Sequence, residues 1–292
     1  MTFDIIFKAG EMMNGILLVN KEKGLTSHQV VVRLRNYFKI KQIGHTGTLD
    51  PNAEGLLQIL IGKATKLNLY LETSPKTYLA TLKLGIKTDT EDIWGTIIAE
   101  KQSTKLDKKQ VELVLKSFLG KSHQLPPMYS AVKIAGKKLY EYARKAEMVK
   151  REKREIEIYQ IDLVDLKEDE ITFSVSCSSG TYIRTLCQDI ALKLDNYGTM
   201  SSLKRLQIAN YKVEAAYNLS DITSGKYHLI SNGDALKHYQ WYEISDKSTI
   251  INGKPINLNS DEELVLITYD NEPLAFYKKV ADNRYHAQRG LW

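Results

Sequence analysis

Twelve residues, Gly44-His45-Thr46-Gly47-Thr48-Leu49-Asp50-Pro51-Asn52-Ala53-Glu54-Gly55, constrain this chain more than any other stretch. Its three glycines disfavour a regular helix or strand, and Pro51 pushes the residue before it toward extended backbone. The spacing therefore predicts a loop that presents the Asp50 carboxylate. The run from Leu56 to Ile61 is short and apolar and is closed by Gly62, which reads as a buried strand anchoring that loop. A carboxylate on held backbone beside the His45 imidazole suits nucleophilic or acid/base work at a carbon centre. Asp-Pro also opens many ordinary turns, so this stretch alone leaves both readings open.

Around the loop, strands and helices alternate without the regular βαβ spacing of a doubly wound sheet. Gly15 to Asn20 reads as a strand, and Thr26-Ser27 can cap a helix carrying Val30, Val31, Leu34, Tyr37 and Phe38 at helical spacing. Lys63 to Leu71 reads as helical, Lys76 to Leu84 alternates as a half-buried strand, and Thr88 to Asp92 is a polar loop. Asp107 caps a helix through Val111, Val114, Leu115 and Phe118, with Gly120 as its stop. A strand from Tyr129 to Ile134 and a helix from Lys137 to Lys145 are predicted next, followed by strands over Glu155 to Leu166 and Ile171 to Cys177. Ser178-Ser179-Gly180 then leads into a helix carrying Leu186, Ile190 and Leu194. The pattern predicts an α+β fold around a central mixed or antiparallel sheet flanked by helices. Past Leu219, short strands such as Leu264 to Tyr269 and Leu274 to Lys278 lie between Asn, Asp and Gly clusters. They indicate a small β-rich C-terminal domain, which divides the chain into 1–235 and 236–292.

No run approaches the roughly 18 apolar residues of a membrane helix, and Met1 to Gly10 places Asp4 inside a short apolar patch, unlike a secretory signal. A cytoplasmic protein without membrane contact is expected, with Met12 and Met13 as alternatives to Met1 as the start. Cys177 and Cys187 read as small buried hydrophobes. The histidines are scattered without ligand spacing, so no metal is expected. Gly62-Lys63-Ala64-Thr65 fails as a phosphate loop, because Ala64 stands where a hydroxyl residue must follow the lysine. Asp50 with Glu54 imitates a glycosidase carboxylate pair. The formal charge of +6 is concentrated between Lys133 and Arg154, where nine basic residues face three acidic ones. With Tyr140 and Tyr142 interleaved, this segment points to a polyanion such as nucleic acid, against the alternative of a solvated helix face with internal ion pairs.

A second motif, Ser178-Ser179-Gly180-Thr181-Tyr182-Ile183-Arg184-Thr185-Leu186, puts an arginine and a tyrosine just past a strand end. An arginine there can hold a carboxylate bidentately and keep it ionised. Taken with GHTGTLDP, KTY, LPPMYSAVK followed by GKKLYEYAR, and GTYIRTL, this order of motifs resembles the TruB family of tRNA pseudouridine-55 synthases over roughly Asn14 to Tyr211.

The resemblance implies isomerisation of uridine to pseudouridine in the TΨC loop of tRNA, without cofactor or metal, by a monomer that flips the base out of its stack. It implies that Asp50 is the catalytic aspartate, that Tyr78 stacks on the target base, and that Arg184 pairs with Asp50. His45 would sit beside the flipped nucleotide, while Tyr182 and Leu203 would line its pocket. The basic segment, about 124–154, is similar to the family's thumb-like insertion on the T-arm, with Lys137, Lys138 and Arg151 as phosphate contacts. Residues 236–292 resemble a PUA-type RNA-binding domain. The sequence departs from the family at Gln58, Asn52 and Lys204 and in its N-terminal extension. Two alternatives are a guide-RNA-dependent synthase of the dyskerin type and a non-catalytic RNA-binding or tRNA-folding module.

Overall fold

Alternating apolar residues need a sheet to cover them and helical stripes need a partner face, and the chain satisfies both with one mixed α+β architecture. The computed structural model describes residues 13–71, 73–102, 106–145 and 147–292; the reading of residues 1–12 lies outside them. Strands, in chain order, are β1 (Gly15–Lys21), β2 (Ile43–Thr46), β3 (Glu54–Ile61), β4 (Lys76–Leu84), β5 (Ile86–Thr88), β6 (Ile97–Glu100), β7 (Gly120–Gln124), β8 (Lys133–Ile134) and β9 (Lys137–Lys138). They continue with β10 (Arg154–Leu166), β11 (Glu170–Cys177), β12 (Gly198–Ile208), β13 (Tyr211–Lys212), β14 (Trp241–Glu243), β15 (Ile256–Asn257), β16 (Leu264–Tyr269), β17 (Glu272–Ala281) and β18 (Arg284–Gly290). The helices used below are α1 (Ser27–Phe38), α2 (Asn68–Leu71), α3 (Lys108–Lys116), α4 (Leu139–Ala143) and α5 (Ile183–Lys193).

Two compact units emerge. One comprises Met1–Pro51, Leu57–Glu72 and Glu214–Trp292; the other comprises Asn52–Leu56 and Thr73–Val213. In the first, β2 runs antiparallel to β3, with His45 opposite Ile59. Leu17, Val19, Val30, Val31, Leu34, Ile43 and the Leu57, Ile59 and Ile61 side chains form its core. The same unit carries a five-stranded sheet ordered β14-β16-β17-β18-β15, packed around Val265, Ile267, Tyr277 and Tyr285. Tyr70 stacks on Phe276 there at 3.7 Å between ring centroids, and Tyr239 meets Phe276 edge-on at 5.0 Å.

In the second unit, the start of β3 pairs parallel with β12, β12 pairs antiparallel with β4, and β11, β10 and β7 follow antiparallel in turn. The sheet is therefore mixed, and every second residue of β4 is buried, from Lys76 to Leu84. β12 escaped sequence reading because Ser201, Ser202, Lys204, Arg205 and Gln207 blur its alternation. Two register shifts break the period further.

Several predicted elements are shorter or different. Only Lys133–Ile134 of the expected Tyr129 to Ile134 strand pairs with a neighbour, and α4 covers just the middle of the helix expected over Lys137 to Lys145. The cause is a tight turn at Ala135 (φ 49°) and Gly136 (φ 82°), which folds Lys137–Lys138 back on Lys133–Ile134. Gly62–Leu67 is a 3₁₀ turn before α2, closed by the Thr65 hydroxyl donating to Gly62 O at 2.7 Å. α3 ends at Lys116, so Gly120 (φ 88°) opens β7 rather than stopping the helix.

Candidate active site

The loop between β2 and β3 is shorter than the one expected over Gly44 to Gly55, because Gly44, His45 and Thr46 pair in β2 and Glu54 and Gly55 open β3. Asp50 lies half-buried on that loop. Local chemistry holds the backbone on both sides of it. Thr26 caps α1 reciprocally with Gln29, which places Ser27 in the first helical turn. Ser27, almost fully buried, donates from Oγ to Leu49 O at 3.1 Å and accepts from Leu49 N at 2.9 Å. Lys21 ends β1 with no exposed surface, and its Nζ donates to the carbonyls of Glu22 (3.0 Å), Leu25 (2.7 Å) and Pro51 (3.1 Å). Gly24 N–H also donates to Pro51 O, at 2.9 Å. The residues flanking Asp50 are thus tied to one helix start and one buried ammonium. Such preorganisation suits a group that must keep its aim. Sequence reading missed Lys21 and Ser27, since their partners lie up to 30 residues away.

In the other unit, Tyr78 on β4 is 8% exposed and stands in register between Val175 of β11 and Arg205 of β12, while Leu203 faces Ala80. Direct antiparallel partners share a face, so Tyr78, Leu203 and Arg205 are brought together on one side of the sheet. Arg205 was not singled out in the sequence as a site residue, yet it is 1% exposed and its Nε donates to Leu56 O at 2.7 Å. Gly55 packs against the same strand: a Cβ there would fall 2.3 Å from Arg205 O. A non-glycine residue is excluded at this position, and the start of β3 is locked onto β12.

Tyr182 and Arg184 open α5 in the same unit. Gln124, on β7, accepts from Tyr182 N at 2.7 Å and donates to Tyr182 O at 3.1 Å. Arg184 is 6% exposed, and its guanidinium donates to Thr90 O and Tyr129 O, each at 2.9 Å. The Thr88 to Gly95 loop is itself braced: Thr90 Oγ1 donates to Asp92 Oδ1 at 2.8 Å, and Thr96 N–H to Asp89 Oδ1 at 2.8 Å. Thr185 Oγ1 donates to Glu91 Oε2 at 2.6 Å. Burial pushes the Glu91 carboxyl above its usual range, opposed by that hydrogen bond and by the charges of Arg184 and Arg151. An Asp/Thr-rich loop is the local signal that could have flagged this bracing.

Lys137, Lys138 and Arg151 lie in the basic segment of the same unit. Lys137 sits 5.9 Å from the Tyr142 ring centroid and Lys138 5.4 Å from that of Tyr140, with Arg144 at 5.3 Å on the latter ring. Arg151 Nη1 donates to Pro126 O at 2.7 Å. Cys177 and Cys187 are buried free thiols, raised by burial, Cys177 to about 11. Among the described residues, no three His, Cys, Asp or Glu side chains are grouped to hold a metal ion, and no helix is long and apolar enough to cross a membrane.

Residues 35–183 match the family model described as TruB family pseudouridylate synthase, N-terminal domain. The tRNA pseudouridine synthase B of Mesoplasma florum is 39% identical over 95% of this chain and 98% of its own. That of Oceanobacillus iheyensis is 43% identical over 86% of each chain. Among solved structures, a Cbf5-Nop10-Gar1 complex matches with a TM-score of 0.71 at 22% identity, over 95% of this chain and 85% of the other. That likeness extends to the fold, including the C-terminal sheet.

Proposed function

The chain belongs to the TruB family of pseudouridylate synthases, and from that premise we propose that it isomerises uridine to pseudouridine in tRNA, at position 55 of the TΨC loop. The observation that carries this reading is the near end-to-end similarity to proteins named tRNA pseudouridine synthase B. The reaction breaks an N-glycosidic bond, turns the base, forms a carbon–carbon bond and releases the proton from that carbon. It needs a nucleophile but no redox partner or group donor.

In this reading Asp50 is the nucleophile, on backbone clamped by Ser27 and Lys21, and Arg184 keeps its carboxylate ionised and aimed. Tyr78 stacks on the extruded base and helps remove the ring proton, with Leu203 and Tyr182 beside it, and His45 occupies the space the base leaves. The basic segment of about 124–154 closes on T-arm phosphates through Lys137, Lys138 and Arg151, and residues 236–292 add RNA contacts as a PUA-like domain. The enzyme acts as a cytoplasmic monomer.

The test is tritium release from 5-tritiated uridine in an unmodified tRNA transcript, with wild type beside Asp50→Asn. Turnover by the wild type without guide RNA or added metal, lost in the variant, is the expected result. Equal turnover in both would remove Asp50 from the chemistry. Turnover only with a guide RNA would move the protein to the dyskerin-type class, and tRNA binding without any turnover would leave a folding module.

A further inference from the structure

We propose that Glu91 is a positioning residue for the reaction: its carboxyl group, hydrogen-bonded to the first turn of α5, fixes the loop whose Thr90 carbonyl holds the Arg184 guanidinium in one orientation. The proposal rests on the reading of the protein as a uridine isomerase in which Arg184 aims a carboxylate, and it adds a residue that acts through that arginine. What singles out Glu91 is its backbone, which sits in the left-handed region at φ 67°. The other described non-glycine residues there either follow a helix, like Lys39 and Asp195, or occupy a two-residue turn between strands, as Ala135, Ala209 and Asn283 do. Those are the places where left-handed backbone is ordinary. Glu91 lies instead inside the 89–96 connection between β5 and β6. Glycine, asparagine or aspartate would take this conformation with less strain, so the strain persists only because the surroundings over-determine it.

The contacts of Glu91 show what holds it. Its carbonyl accepts from Met200 N, on β12, at 3.1 Å, and its Oε2 accepts from Thr185 Oγ1 at 2.6 Å. Two consecutive residues of α5 thus take two consecutive residues of the loop: Arg184 Nη1 donates to Thr90 O at 2.9 Å, and Thr185 donates to Glu91. Releasing the Glu91 side chain therefore frees the carbonyl one peptide away. Arg184 Nη2 donates to Tyr129 O, also at 2.9 Å, so two carbonyls together fix the plane of the guanidinium and the direction of its remaining N–H groups. A two-point grip on a carboxylate depends on that plane. A glycine at this position would meet the backbone requirement and give Thr185 no acceptor. The hydrogen bond, rather than the backbone, accounts for a glutamate here.

The experiment separates aim from stability in the full-length protein. Glu91→Gly relieves the backbone and removes the acceptor, so its urea midpoint should stay close to wild type. Its kcat for tritium release should nevertheless fall about tenfold or more, at a KM within about twofold of wild type. Glu91→Gln keeps the acceptor and should restore most of kcat. Adding Thr185→Val to Glu91→Gly should cost no more than the larger single effect, since both remove one contact. If Glu91→Gly disturbs folding, Thr185→Val, with Thr185→Ser as its rescue, carries the same comparison. A wild-type kcat in Glu91→Gly, a kcat that falls only in step with the midpoint, or a Glu91→Gln variant as slow as Glu91→Gly would overturn the positioning role. Nitrogen NMR of isotope-labelled arginine reads the orientation without turnover. The Arg184 Nη signals, identified by their loss in Arg184→Lys, should be distinct in wild type and Glu91→Gln and averaged by rotation in Glu91→Gly. Signals that Glu91→Gly leaves unchanged would also overturn it. If the wild type releases no tritium, the isomerase reading fails, and these spectra alone decide whether Glu91 sets Arg184.

Discussion

Ser27 and Leu49 exchange two hydrogen bonds: one hydroxyl accepts the Leu49 N–H at 2.9 Å and donates to the Leu49 carbonyl at 3.1 Å. Ser27→Ala would leave two buried backbone groups of the residue next to Asp50 without partners, at a cost of about 2–3 kcal/mol. Urea unfolding should show that loss. Tritium release should show kcat falling by about tenfold or more with KM little changed, because the loosened group acts in the reaction rather than in tRNA capture. An unchanged kcat would mean that the aspartate loop keeps its geometry without Ser27.

Gly55→Ala is expected to cost more than about 3 kcal/mol, since φ is 102° and the added methyl would sit 2.3 Å from Arg205 O, where backbone must move. Gly180→Ala is the control. Its φ is 87° but nothing lies within 4 Å, so only the left-handed penalty of about 1 kcal/mol applies. Similar unfolding midpoints for the two variants would contradict the locked approach of β3 to β12.

Glu91 supplies a pH signature. Burial raises its carboxyl above the ordinary value of 4.5, so the folded chain binds that proton more tightly than the unfolded chain does. Its contribution to stability is complete below the ordinary value and is lost as pH rises through the folded value. Glu91→Gln keeps an acceptor for Thr185 Oγ1 but cannot ionise. Thermal unfolding should therefore show wild type losing ground to Glu91→Gln as pH increases from about 4.5 toward neutrality. Parallel curves across that range would rule out a burial penalty at this carboxylate.

Neutralising Lys137, Lys138 and Arg151 together as glutamines should weaken tRNA binding and reduce the log–log salt slope by about 2 to 3, given roughly 0.7–0.9 per phosphate contact. Filter binding at several salt concentrations measures it. A slope equal to wild type would make this face a solvated surface whose cations serve the Tyr140 and Tyr142 rings.

Elements whose causes lie within a few residues are legible in the sequence. α1 could be read from Thr26, Gln29 and its apolar spacing, and β4 from strict alternation, because capping and pleating are local effects. The turn that carries Asp50 follows in the same way from Gly47 and Pro51, whereas Gly44 and Gly55 lie in β2 and β3. The basic segment was legible as charge but not as shape: the left-handed turn at Ala135 gave no sign in a residue that ordinarily favours helix.

By itself, the amino-acid order determined the mixed α+β class, the loop that displays Asp50, the concentration of positive charge and the family motifs, since each depends on neighbours in the chain. Only the tertiary structure decided that β12 is an interior strand, that Arg205 is buried against a carbonyl 149 residues away, and that Lys21 and Ser27 hold the backbone around Asp50. The physical reason is that a buried polar group takes its partner from whatever the fold brings near. That partner is set by chain closure over long separations, which no local periodicity records.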